Sequence, residues 1–161
     1  MRHPVPSALD FVKEDGAAYL RFSDFNRSPR NRLKLACVVR MLEDSGLPRD
    51  SRVLEVGCGV GHVAIPLASL GYRVTAMDIH EPSLEAARRR NTFPNLDFRA
   101  GDALQFDVAS FDAVVMSDVL EHIANCGDFM RRLAASMKPG AWLVLTIPNG
   151  WNIVEIMCRP S

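Results

Sequence analysis

Cysteine is scarce and scattered. Cys37, Cys58, Cys126 and Cys158 form no C-x-x-C pair and no cysteine–histidine cluster at zinc-ligand spacing, which excludes a disulfide framework or a structural zinc as the organising device. No stretch approaches the eighteen apolar residues of a membrane span, and Met1-Arg2-His3-Pro4-Val5-Pro6 leads into no signal-like apolar segment. The expectation is a soluble, reduced, cytoplasmic protein with no membrane span and no metal. Net charge is absent too. Nineteen Lys and Arg balance nineteen Asp and Glu, so the global electrostatic footprint of phosphate-backbone binding is missing and no nucleic acid is expected as partner. What is present is a composition of 48% hydrophobic and 24% charged residues over 161 positions. A single domain of that length removes about 70% of its surface from water on folding and needs no covalent staple.

Residues 1–28 carry two early prolines and a scatter of aromatics (Phe11, Tyr19, Phe22, Phe25) without a sustained period, which reads as an arm or lid ahead of a domain over 29–161. The apolar positions from Asn31 to Leu42 fit a helix stopped by Gly46 and Pro48. Strands are then expected at Val53–Val56, Arg73–Met77, Leu96–Ala100, Phe111–Met116 and Trp142–Ile147. Helices are expected at His62–Leu70, Glu81–Arg90 and Asp128–Met137, with no full helix between the third and fourth strands. Pro66 and Pro82 fall in first helical turns, where the missing N–H has no partner to lose. Short, continuously apolar strands alternating with helices describe an α/β fold, a doubly wound, mostly parallel sheet buried on both faces.

In such a sheet a ligand sits beyond the carboxyl ends of the strands, where strand order reverses. The first strand ends there as Glu55-Val56-Gly57-Cys58-Gly59-Val60-Gly61-His62, three glycines at alternate positions. Backbone without Cβ turns tightly and approaches a ligand closely. Asp78 ends the second strand 21 residues after Gly57, where a carboxylate can accept from ribose hydroxyls. A dinucleotide fingerprint wants a small residue at His62, so the third glycine falls one position early. The pattern fits a dinucleotide or another adenosine-containing cofactor.

The ordered set is more specific than the loop. Val53-Leu54-Glu55-Val56-Gly57-Cys58-Gly59-Val60-Gly61 resembles the first motif of class I S-adenosylmethionine-dependent methyltransferases. Asp78, Gly101-Asp102-Ala103, the run Phe111 to His122, and Met137-Lys138-Pro139-Gly140 followed by Pro148-Asn149 resemble later motifs of that family in order, over about residues 51–150. Leu120-Glu121-His122 and Ile147-Pro148-Asn149 are most similar to small-molecule methyltransferases of the ubiquinone-biosynthesis type. The resemblance implies S-adenosylmethionine as cofactor, S-adenosylhomocysteine as product and a small-molecule acceptor methylated by in-line displacement. It places Glu55, Gly57, Cys58, Gly59 and Gly61 around the methionine end, with Glu55 near the amino group. Asp78 would hold ribose and Ile79 would pack on adenine; Asp102 and Ala103 would meet the adenine edge, and Ser117 would close over methionine. A base for a hydroxyl acceptor would come from His62, His80, Asp118 or His122, with His122 read first as a pocket wall.

Two other readings share the glycine loop: a cofactor-binding module without catalysis, and an NAD-dependent oxidoreductase, which leaves Asp102 and Leu120-Glu121-His122 unexplained. Arg88-Arg89-Arg90 reads as a solvated helix end. Arg21, Arg27, Arg30, Arg32, Lys34 and Arg40 read first as a solvated helix face and second as a contact for an anionic substrate. The family's sheet continues past its fifth strand, whereas Trp151 to Cys158 offers at most one short helix. The sheet is therefore expected to lack the last two strands; the first expectation is that the chain is a fragment, and the alternative is that the strand-five edge is covered by a partner, as in a homodimer, or by the tail.

Overall fold

A computed structural model describes residues 28–148 and 153–158. The expected arm over residues 1–28 lies outside that range apart from Ser28. Helix α1 (Pro29–Asp44) leads into β1 (Arg52–Val56), α2 (Ala64–Ser69), β2 (Arg73–Asp78), α3 (Glu81–Arg90) and β3 (Leu96–Ala100). Two short 3-10 turns, Ala103–Gln105 and Val108–Ser110, take the place of a crossover helix before β4 (Ala113–Ser117). A third, Leu120–His122, precedes α4 (Cys126–Ser136), β5 (Trp142–Pro148) and β6 (Ile153–Cys158).

The strands form one sheet in the order β3-β2-β1-β4-β5-β6, the first five parallel and β6 antiparallel to β5. The order in which the chain lays down its strands reverses between β1 and β4, so the loop leaving β1 stands at the switch point. Alternation along each strand divides the core into two layers. Val53, Val74, Ala76, Ala113, Val115 and Val144 face α1, α2 and α3, while Leu54, Val56, Val114, Met116, Leu143 and Leu145 face α4 and the 3-10 turns. β1 and β4 are buried at nearly every position because both faces are covered; β3, at the sheet's edge, alternates at its start.

The tail corrects the sequence reading. Ile153-Val154-Glu155-Ile156-Met157-Cys158 is a strand, not a helix, and it pairs with β5 from Leu143↔Cys158 to Pro148↔Ile153. Its β-branched residues favour extended backbone, and a connection of four residues can only join antiparallel neighbours. β5 is therefore paired on both sides, and the open strand-five edge proposed as a dimer contact is occupied by β6.

Candidate functional site

Two clefts open at the carboxyl ends of the parallel strands and meet at Gly57. One, of about 290 Å³, lies on the α4 face and is walled by Val56, Met77, Ala103, Val119, Ile123 and Phe129. Asp78, Ile79, Gly101, Asp102 and His122 stand at its polar and open margins. The other, of about 250 Å³, lies on the α1–α2 face and is lined by Lys34, Glu55, Cys58, Gly59, His62, Val63, Ser117 and Asp118.

The loop between them is tied to β2. The N–H groups of Gly57 and Cys58 both donate to the Met77 carbonyl, at 2.8 and 2.9 Å. Gly59 N–H donates to Asp78 Oδ2 at 2.7 Å, and His80 N–H donates to Asp78 Oδ1 at 2.9 Å. Asp78 thus shapes the glycine loop as well as facing the apolar cleft. A carboxylate offers about four lone-pair sites, so two backbone donors leave room for a ligand's hydroxyls. Asp102 likewise accepts from Leu104 N–H at 2.9 Å and caps the 3-10 turn beside the cleft. Ile79 is 85% exposed on the cleft margin.

Glu55 owes its position to strand parity. It shares the Val53 face of β1 and so lies under α1 and α2, 2% exposed. The Ala64 N–H at the start of α2 supports its carboxyl, while among the described residues Oε2 has no hydrogen-bond partner. Burial pushes this carboxyl up to about 8, against the pull of Ala64 N–H and Lys34 and with a push from Asp78. The same burial, with Glu55 and Asp78 nearby, pushes the Cys58 thiol up, so it stays protonated and unreactive. His62 goes the other way. Burial, with Arg90 and Lys34 in range, pushes it down to about 4 and keeps its ring uncharged at neutral pH.

Lys34 is the residue the sequence reading misplaced. It is 6% exposed, not on a solvated face, and its Nζ donates to Asp118 Oδ2 at 2.7 Å. Asp118 also accepts from Thr146 Oγ1 at 3.4 Å, and its φ of 54° puts it in the left-handed region. Ser117 Oγ and Thr146 Oγ1 lie 2.9 Å apart beneath it. Asp118 is thus an ion-paired bracket from the β4 exit to α1. Breaking a buried pair leaves a desolvated charge, so Lys34→Met is expected to cost about 1–3 kcal/mol in urea unfolding, less than a fully buried pair because Asp118 is partly exposed. Adding Asp118→Asn is expected to recover most of that loss; no recovery would show that Lys34 acts through packing alone.

The structure brings together all but two of the expected site residues, Gly61 and His80. Asp78, Ile79, Asp102, Ala103 and His122 line the apolar cleft, Glu55, Cys58, Gly59, Ser117, His62 and Asp118 the polar one, and Gly57 both. Gly61 lines neither. It packs behind the loop, where an added Cβ would stand 3.0 Å from Phe98 Cζ and 3.1 Å from Ile65 Cδ1, so its task is close helix–sheet contact. His80 caps α3, its Nδ1 2.8 Å from Ser83 Oγ. Arg88 is not merely a solvated end, since it pairs with Glu81 at 2.6 Å and donates to the Phe98 carbonyl at 2.9 Å. Among the described residues no group of three or more His, Cys, Asp or Glu could hold a metal ion, and no helix is long and apolar enough to cross a membrane.

The clefts fall inside a recognisable stretch of sequence. Residues 54–145 match the family model described as a methyltransferase domain. A ubiquinone biosynthesis O-methyltransferase of Methylocella silvestris is 41% identical over 117 residues, 65% of this chain and 46% of that protein. Its counterpart in Caulobacter vibrioides is 34% identical over 149 residues, 89% of this chain and 52% of that one. Among solved structures, a glycopeptide N-methyltransferase complexed with sinefungin superposes with a TM-score of 0.58 at 25% identity, covering 70% of this chain and 49% of that one. The chain thus spans about half the length of the curated relatives it matches. With the family model matching more than half of its residues and the glycine loop, Asp78 and Asp102 all set around the paired clefts, the chain belongs to the methyltransferase domain family.

Proposed function

We propose that the chain binds S-adenosylmethionine across the two clefts and transfers its methyl group to an oxygen of a small-molecule acceptor. The observation that carries this reading is the division of one site into an apolar cleft and a cleft with buried charges of both signs. Adenosine matches the first, with Ile79 and Phe129 offering apolar surface to a planar base, Asp102 an acceptor at its edge, and Asp78 lone pairs for the ribose hydroxyls. A zwitterionic amino acid matches the second, where the unpartnered Glu55 Oε2 is an acceptor waiting for an ammonium. The glycine loop lets the ligand's middle cross from one face of the sheet to the other. A dinucleotide fits less well, because a pyrophosphate beside that loop would meet the Glu55 carboxyl, and the Lys34 ammonium in that cleft is paired with Asp118. Sinefungin, present in a structural relative, is an analogue of S-adenosylmethionine, and the curated relatives are named as O-methyltransferases, which supports cofactor and acceptor class alike.

When bound, the cofactor supplies a methyl group already activated by its sulfonium. The chain's part is then to hold, align and exclude water. Val56, Met77, Val119 and Ile123 give the dry wall, and Asp78 fixes loop and ribose together. His62 lines the polar cleft uncharged at neutral pH, but a ring pushed down to about 4 is a weak base, so its part is to wall the cleft rather than to take an acceptor's proton.

Calorimetric titration with S-adenosylmethionine, S-adenosylhomocysteine and NAD tests the reading. Binding of the first two without NAD is expected, and binding of NAD alone would overturn it. Turnover with hydroxylated acceptors separates an enzyme from a binding module. Asp78→Ala removes hydrogen bonds to a charged acceptor worth about 1.5–3 kcal/mol, so cofactor affinity is expected to fall roughly 10- to 150-fold. Unchanged affinity in a folded variant would contradict the role given to Asp78.

A further inference from the structure

Among the described residues of the polar cleft, the Glu55 carboxyl is the group whose surroundings leave it incompletely served. Each element packed around it brings a charge or a dipole to bear. From α1 comes Lys34, but its ammonium lies 2.7 Å from Asp118 and its charge is shared with that carboxylate. From α2 comes the Ala64 N–H, which serves one oxygen. From the end of β2 comes Asp78, like-charged, and from the loop the Cys58 thiol, neutral. His62 and Asp118 complete the lining. Among the described residues no cation is committed to Oε2, which is buried without a hydrogen-bond partner in a cleft of about 250 Å³.

A carboxylate so placed is costly, since burying an ionised group without a partner is opposed by its lost hydration. A carboxylic acid there is not. We propose, resting on the cofactor reading above, that Glu55 carries a proton when the cleft holds no ligand and releases it as the cofactor's α-ammonium arrives, making cofactor binding a proton-releasing step. The balance is simple. The Glu55 O–H bond breaks and its proton passes to buffer, and the ligand's N–H then donates to the carboxylate oxygen left behind. One negative and one positive charge meet, and the subsite carries no net charge before or after. Burial that pushes Glu55 up to about 8 agrees with this geometry. The consequence is a ligand site specific for an amino group and tightened by rising pH.

Titration calorimetry of the full chain with S-adenosylhomocysteine near pH 6.5, in two buffers of different ionisation enthalpy, reads the proton directly. Release of about one proton per ligand is expected, with the dissociation constant falling about tenfold per pH unit from pH 5.5 to 7.5. The analogue lacking only the α-amino group is expected to bind with almost no release, as is S-adenosylhomocysteine to Glu55→Gln. That variant keeps every other titrating group, so the difference belongs to Glu55. If it does not fold, the two ligands on the wild-type chain still decide. S-adenosylhomocysteine that binds with buffer-independent heat, or releases as much in Glu55→Gln, overturns the proposal alone. Failure to bind at any pH overturns the cofactor reading and the proposal with it.

Discussion

Glu55→Gln is expected to make the chain more resistant to urea while weakening its hold on the cofactor. In the folded chain the carboxyl titrates at about 8, against an ordinary value of 4.5. A raised value means that the folded state holds its proton over a range in which the unfolded state has lost it. The wild-type chain therefore keeps Glu55's full contribution below pH 4.5 and loses it progressively as pH climbs to about 8, above which the loss is complete. Glutamine is neutral throughout and retains a carbonyl oxygen for the Ala64 N–H. The stability gap in its favour should thus open above pH 4.5, reach about 3 kcal/mol at pH 7 and level off beyond pH 8. Urea midpoints at pH 5, 7 and 8, with unchanged slopes, would display it. A gap that stays constant with pH would show that Glu55 is ionised throughout. The same substitution removes the charge that an ammonium would meet, worth about 1.5–3 kcal/mol, so S-adenosylhomocysteine should bind roughly 10- to 150-fold more weakly at pH 8. Stability given up for a ligand site is the usual relation between the two.

The parallel sheet was legible because burial on both faces writes itself as short apolar runs. β3 and α3 fall where the sequence places them, Leu96–Ala100 and Glu81–Arg90. The apolar cleft was legible too, since its polar members sit at strand ends, and strand ends are marked by glycine and aspartate. Lys34 was hidden by its type. It stands four residues before Val38 and eight before Leu42, on the stripe of α1 that faces the sheet, yet a lysine among arginines reads as solvated until its partner Asp118, 84 residues away, is in view. Gly61 was ambiguous for the opposite reason. Spacing identifies a glycine that must lack a side chain but does not say whether a ligand or Phe98 fills the space. β6 was missed because the expectation rested on the family's layout of strands rather than on Ile153, Val154 and Ile156.

Gly57→Ala should be the most damaging single methyl group in the loop. At φ +73° an L side chain is strained by about 1–2 kcal/mol, and the added Cβ would stand 2.4 Å from Val119 Cγ2, closer than packed carbons can approach. Relieving that contact means moving Val119, which walls the apolar cleft, and overpacking of this kind costs about 1–3 kcal/mol more. A total loss of about 2–5 kcal/mol in urea unfolding is expected, with weakened S-adenosylhomocysteine binding because the displaced valine enters the ligand's space. Gly59→Ala separates the two causes. Its φ of +52° carries similar strain, but its Cβ meets nothing within 4 Å, so only the strain should be lost. Combining Gly57→Ala with Val119→Ala should in turn remove the collision and leave the strain, bringing the double variant near Gly59→Ala once the cost of Val119→Ala alone is subtracted. Equal losses for Gly57→Ala and Gly59→Ala would mean that Val119 yields freely. In that case the first glycine is required for its backbone angle alone, and the apolar cleft can widen to admit the ligand without disturbing β1.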